Sequence, residues 1–261
     1  MRRWGVRLFE ILAALVAITS LMLIILPMFA HTVDHAPKPT CERNLRQLGA
    51  ALIAYAQDYD EKMVPGHGGL RWPGIGWAGQ VFNYIKSPRV YQCPEDTTSE
   101  VKNAGTLLSP VSYAYSAWVA GLHFSHLKTP QTIIVMQEIS NERTNIDDPA
   151  EANSPWYSAA TYGDNMVSAD GLNAGRCCGR GLPQVLASGT ISGCKSATFA
   201  GQSNMGRHDG WANWLMADGH VKYLNSIYVS HSPRDTAPGR FLTCGRAGMH
   251  SCIATFDPLG L

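Results

Sequence analysis

A short basic leader, Met1 to Gly5, runs straight into an apolar stretch broken by one acid, Glu10. From Ile11 to Ala30 there are 20 residues without a charge, and about 20 apolar residues at 1.5 Å rise per residue cross a bilayer core. A carboxylate just inside such a segment costs about 2.5 kcal/mol or more, so it needs a reason to be there. Three organisations suit the run: an assembly helix, a plain membrane anchor or a secretory signal peptide. A signal peptide has an apolar core of about 7–15 residues and a small-residue cleavage site. This run is longer, and Met28-Phe29-Ala30 is a poor exit. A plain anchor tolerates one acid near its end, because a charged tip can snorkel to the interface. Arg2, Arg3 and Arg7 all precede the span. The positive-inside rule therefore leaves the N-terminus in the cytoplasm and everything after Ala30 beyond the cytoplasmic membrane.

About 230 of the 261 residues remain after the anchor, enough for one large or two small domains. A hydrophobic content of 45% with seven tryptophans supports a packed core. The net charge of +1 gives no electrostatic case for nucleic acid, which wants a basic face. Seven cysteines outside the cytoplasm point to disulfides, with at least one thiol left over in a monomer.

Along the chain, Ala36-Pro37-Lys38-Pro39-Thr40 interrupts helix, since each proline lacks an N–H and restricts the residue before it. Thr40 can then cap a second helix, on which Leu45, Leu48, Leu52, Tyr55, Ala56 and Tyr59 recur at steps of three and four to form a sheet-packing stripe. Pro65-Gly66-His67-Gly68-Gly69 forces a loop. A short helix is predicted over Ala78 to Ile85, and strands over Val111 to Val119 and Thr132 to Ile139. Residues 141–205 carry Gly, Asn, Ser and three cysteines with no sustained period, which predicts a loop-rich insertion. Asp218-Gly219 between Trp214-Leu215-Met216 and Val221-Lys222-Tyr223-Leu224 predicts a hairpin with a tight two-residue turn. The Pro/Gly-rich tail from Ser230 is expected to wrap the domain, and no internal repeat is present.

The run Gly5-Val6-Arg7-Leu8-Phe9-Glu10 resembles the prepilin processing motif, in which a peptidase cuts after a glycine and methylates the new N-terminus. With Val6 as first mature residue, Glu10 becomes the fifth, where that family carries a glutamate, and Pro27 stands where pilins place a helix-kinking proline. A second stretch runs from Gly206-Arg207-His208 to Asn213-Trp214-Leu215-Met216-Ala217-Asp218-Gly219-His220. It resembles the prepilin-type processing-associated domain marked by a histidine, nine residues and Asp-Gly, with Asn213 at the strand start. Cys41-Glu42-Arg43-Asn44-Leu45 with Tyr55-Ala56-Gln57-Asp58-Tyr59, and Tyr91-Gln92-Cys93-Pro94-Glu95-Asp96, are similar to the same family and stand in its order. The resemblance covers nearly the whole chain except the insertion.

This resemblance implies an α+β, pilin-like fold: a leader over residues 1–5, a membrane-spanning assembly helix over 6–31, and an extracytoplasmic globular domain over 41–261. In that domain a second helix packs on an antiparallel sheet. It implies a structural subunit of a type IV pilus-like filament or type II secretion-like pseudopilus. Its partners would be the membrane, a prepilin peptidase and other pilin-like subunits; no nucleic acid partner is expected. Glu10 would pair with the free amine of a neighbouring subunit, neutralising both charges and fixing axial register.

The remaining chemistry has a structural and a functional reading. His208 can bond backbone or the Asp218 carboxylate and lock the hairpin, or His208, Asp218 and His220 can converge as a metal or processing site. Two histidines suit a transition metal better than calcium. Cys41 can clamp to Cys93, a bridge worth about 4 kcal/mol for so long a loop. Cys244 and Cys252 can close a small loop; Cys177, Cys178 and Cys194 leave one thiol over, and spacing does not fix the pairing. No G-x-S-x-G, H-E-x-x-H or phosphate loop occurs. No catalytic residue, resident metal or cofactor is expected. The alternatives are a membrane-anchored surface binding protein that never polymerises and, more remotely, a metal-dependent extracytoplasmic hydrolase centred on His208, Asp218 and His220.

Overall fold

The computed structural model describes residues 10, 12–20, 22, 37–65, 76–140, 142–154, 158, 160–161, 166–167, 185–187, 207–208, 211–230 and 254–256. The chain divides into two units, Met1–Pro39 and Thr40–Leu261. In the first, residues 10, 12–20 and 22 are helical and exposed. The hydroxyls of Thr19 and Ser20 donate back to the carbonyls of Leu15, Val16 and Ala17, a bond that lets such residues sit in an apolar helix. No helix among the described residues is long and apolar enough to cross a membrane. The span expected over residues 6–31 is described only at those eleven positions, and Pro27 lies outside them.

Helix α1 runs Pro37–Asp58, so the proline pair opens this helix rather than preceding it. The reason is that the first four N–H groups of a helix have no intrahelical partner, and proline there loses no bond. Thr40 is accordingly inside the helix and is not its cap. Leu45, Leu48, Leu52, Tyr55 and Ala56 are buried as the three-and-four spacing predicts. Tyr59 is not: Asp60 and Glu61 take positive φ, the helix stops at Asp58, and Tyr59 stays exposed with its ring stacked on Tyr55 at 4.2 Å.

Helix α2, Ala78–Ile85, has the predicted bounds. Its N-terminus is capped from a distance. The N–H groups of Trp77 and Ala78 donate to Ser158 Oγ, and that of Gly79 donates to Glu151 Oε1. Glu151 also accepts from Thr144 Oγ1, Ser158 Oγ and Ser158 N, so a fully buried carboxylate faces only donors.

The strands are β1 (Val101–Asn103), β2 (Thr106–Pro110), β3 (Tyr113–Ser116), β4 (Ile134–Ser140), β5 (Arg143–Thr144), β6 (Ala160–Thr161), β7 (Met166–Val167), β8 (Val185–Leu186), β9 (Ala212–Met216), β10 (Val221–Leu224), β11 (Val229–Ser230) and β12 (Ala254–Thr255). The main sheet has the order β10-β9-β4-β3-β6-β7, with β8 added to the end of β4. It is antiparallel except where β3 meets β6. The architecture is α+β. Strand β4 is central and buries every residue but Ser140, which explains why its sequence opens on Ile134-Val135-Met136 without alternating and why even Gln137 and Glu138 are buried. Leu215, Tyr113 and Met136 join the core that includes Leu45, Leu48 and Trp77. Ile134, Trp214 and Met216 form a second core with Phe256 and Val229. The tail thus returns through β12, which pairs parallel with β11. The predicted insertion supplies four two-residue strands, β5 to β8, in its described part. The predicted hairpin is β9–β10, with Val221 opposite Leu215.

Candidate functional site around the buried His208

Glu138 sits in the middle of β4 with no solvent exposure. A carboxylate there is tolerable only if donors reach it. His208 Nε2 lies 3.0 Å from its Oε1, and Asn213 Nδ2 donates to the same oxygen from 2.9 Å. Asn213 is on β9, next to β4 in the sheet; His208 precedes β9 and exchanges backbone hydrogen bonds with Trp211. Tyr223, on β10, donates its hydroxyl to the His208 carbonyl at 2.9 Å and stacks on Trp211 with centroids 5.5 Å apart. The other imidazole nitrogen, Nδ1, lies 2.6 Å from Glu95 Oε2, an ion pair off the ring N–H direction. Burial pushes the His208 pKa down, but the bond to Glu138 and the charges of Glu138 and Glu95 outweigh it, and the net shift is upward.

Beside this pair, Asp96 accepts from Thr98 N, Thr98 Oγ1 and Ser112 Oγ and lies 3.4 Å from Arg207. Arg207 donates to the Ile139 carbonyl and Ser140 Oγ at 2.6 Å, at the end of β4. Ser112 Oγ accepts from Cys93 N. Cys93 is disulfide-bonded to Cys41 of α1, with Cα atoms 5.0 Å apart. The expected clamp is therefore present and abuts the buried polar network.

No protein-family model, curated protein or solved structure matches this chain. The site has to be read from its own geometry.

That geometry separates His208, Asp218 and His220, the three residues of the alternative metal or processing site. His208 pairs with Glu138 and Glu95, whereas Asp218 and His220 pair with each other at a partly exposed turn, where the His220 N–H also donates to Asp218 Oδ1. The hairpin lock exists, but it works through Glu138, Asn213 and Tyr223 rather than through the Asp218 carboxylate. The turn is also longer than predicted. Gly219 N donates to the Met216 carbonyl and Met216 N to the His220 carbonyl. Only Gly219 takes positive φ, at 89°, as in a three-residue loop that closes on a glycine bulge.

Among the described residues, the donor atoms of Cys41, Cys93, Glu138 and His208 form the one set of His, Cys, Asp or Glu groups lying within 4.8 Å of one another. An apolar groove of about 230 Å³ lies elsewhere, between α1 and the hairpin turn, lined by Leu52, Ile53, Ala56, Phe124, Leu215 and Gly219 among others. Of the processing residues, Glu10 is helical and exposed, while Gly5 and Val6 lie outside the described residues, as do Cys177, Cys178, Cys194, Cys244 and Cys252.

Sequence reasoning missed Glu138, Glu95, Asp96, Arg207 and Glu151 as members of buried networks. Glu138 carried a readable mark: an acid inside Ile133-Ile134-Val135-Met136-Gln137-Glu138-Ile139, a run with no face left for water.

Proposed function

We propose that the chain is a pilin-like or pseudopilin-like structural subunit, held in the cytoplasmic membrane by its N-terminal segment, with its bulk outside, and assembled into a filament or secretion-type pseudopilus. The observation that carries this reading is the state of the apolar run around Glu10. Leu12, Leu15, Val16, Ile18 and Met22 are each 54 to 63% exposed on helical backbone. Covering a Leu, Ile, Val or Met side chain is worth about 1.5–3 kcal/mol. Five of them on one helix call for a bilayer or for the helices of neighbouring subunits. Glu10 is exposed at the head of this row, and in this reading it would meet a neighbour's amine once cleavage after Gly5 frees Val6. The disulfide and the buried networks give the globular part the rigidity that an extracytoplasmic subunit needs.

A second reading, a membrane-anchored surface binding protein that never polymerises, draws support from the apolar groove beside α1. Intact mass and N-terminal sequence of the protein recovered from its native membrane separate the two. A chain starting at Val6, with a methylated amine, supports the subunit reading; Glu10→Ala should then abolish assembly. A chain starting at Met1 overturns that route and leaves the anchored binding protein. A start after Ala30 overturns both.

A further inference from the structure

We infer that the reduced chain holds one thiophilic divalent cation of the zinc class on Cys41, Cys93, Glu138 and His208, so that the same two cysteines serve either as a disulfide clamp or as half of a metal site. The inference does not depend on whether the chain assembles. It rests first on placement. The four donor atoms come from α1, the loop after α2, β4 and the segment before β9, and all lie within 4.8 Å of one another. All four residues are buried. Zinc–sulfur bonds of about 2.3 Å in a tetrahedron set the two sulfurs about 3.8 Å apart, a small opening from a disulfide. Two thiolates, an imidazole and a carboxylate form a donor set that zinc accepts.

The second observation is independent of the cysteines. Glu138 Oε2 is buried and has no hydrogen-bond partner among the described residues, while Oε1 takes both His208 Nε2 and Asn213 Nδ2. An acceptor-only atom left bare in a core wants a cation or a donor. A third lies on the far side of the ring: the Glu95 carboxylate stands 2.6 Å from His208 Nδ1, off the N–H direction in the disulfide form, where a small ring rotation on metal binding would make it the outer-layer acceptor that metal-binding histidines normally have.

The two states exclude each other, because bonded sulfurs are not thiolates. Reduction by a phosphine breaks the S–S bond and gives two thiols, with water supplying the two protons and the oxygen of the phosphine oxide. Metal uptake then releases both thiol protons to solvent, and the proton that His208 Nε2 gives to Glu138 moves to Nδ1 beside Glu95 or leaves with them. A newly made chain already carries the thiols and needs no reductant.

The test uses the full chain in detergent, oxidised or reduced with a phosphine, titrated with cobalt(II) as a visible stand-in for zinc. The reduced chain should take up one equivalent and show the bands of a tetrahedral cobalt–thiolate centre; the oxidised chain should not. Glu95→Gln, which leaves every proposed ligand in place, should weaken binding about 10-fold while keeping the bands. Zinc should also raise the melting temperature of the reduced chain, a readout that works even where reduction loosens the fold. Absence of bands at one equivalent, no rise in melting temperature with zinc, or bands that persist in the Cys41→Ser/Cys93→Ser double variant would each overturn the site.

Discussion

His208 and Glu138 meet 3.0 Å apart, 70 residues distant in the chain and both closed off from solvent. The pair joins the segment before β9 to the centre of β4, and Asn213 ties β9 to the same oxygen. Removing one partner of a buried pair leaves the other desolvated and uncompensated. His208→Ala should therefore cost about 3 kcal/mol in urea unfolding, well above the median surface substitution. Adding Glu138→Gln to that variant should cost much less than Glu138→Gln alone, since the charge that His208 was serving is then gone. Strict additivity of the two would show that the pair is not a unit.

Glu151 gives a pH dependence with a definite sign. Burial raises its pKa above the ordinary 4.5, and the hydrogen bonds from Ser158, Gly79 and Thr144 only partly offset this. A carboxyl whose folded pKa is raised lends stability that is fully present below its unfolded pKa and is lost as pH rises through the folded value. Glu151→Gln has no such titration. Stability of the native chain relative to that variant should therefore grow as pH falls from neutral toward about 4.5. At neutral pH the variant should still be the weaker by about 2 kcal/mol, because an amide NH₂ would face a backbone donor at Gly79 or Ser158. Urea midpoints at several pH values measure both effects. A difference that shrinks on acidification would reverse the assignment.

The Cys41–Cys93 bridge closes a separation of 52 residues and ties α1 to the loop that carries Glu95 and Asp96. In the chain-entropy account a loop of that length is worth about 4 kcal/mol. Guanidinium unfolding of the full chain with a chelator present, before and after reduction, should show a loss of that order. A loss under about 1 kcal/mol would mean that the denatured chain is already constrained there.

How much of this was legible follows from how local each cause is. Helix α2 was readable to its ends because its apolar spacing is local, and the β9–β10 hairpin because Asp218-Gly219 announces a turn. The start of α1 was misread because proline reads as a breaker, although in a first turn it loses nothing. The turn itself was misjudged by one residue, since Asp-Gly fits a two-residue loop and a three-residue loop equally well. What the sequence could not show was partnership across the fold. Nothing near His208 says that its acid lies on a strand 70 residues away, and the histidine's neighbours in sequence pointed to Asp218 instead. The two-residue strands β5 to β8 were invisible for a related reason: two residues carry no period, and only pairing holds them extended, β5 on β2, β6 on β3, β7 on β6 and β8 on β4.

The contact between α1 and the hairpin offers the sharpest test of why Asp-Gly stands at that turn. A Cβ on Gly49 would lie 2.8 Å from Leu215 Cδ1 and 3.3 Å from the backbone of Gly219, so helix and turn meet almost backbone to backbone. Alanine in a helix interior gains about 1 kcal/mol over glycine. The crowding should exceed that gain, because Leu215 is fixed in the core and the turn backbone cannot retreat without disturbing β9. Gly49→Ala should thus be destabilising by about 1 kcal/mol net. Gly219→Ala should cost more, about 2 kcal/mol, since it adds a Cβ at a φ of 89° as well as a contact of 3.0 Å with Ile53 Cδ1. Because the two sites touch, the double variant should cost less than the sum: once the turn has shifted to admit one methyl, the second meets less resistance. A stabilised Gly49→Ala would mean that the turn yields freely. The glycine at 219 would then serve its own backbone conformation alone, not the approach of the helix.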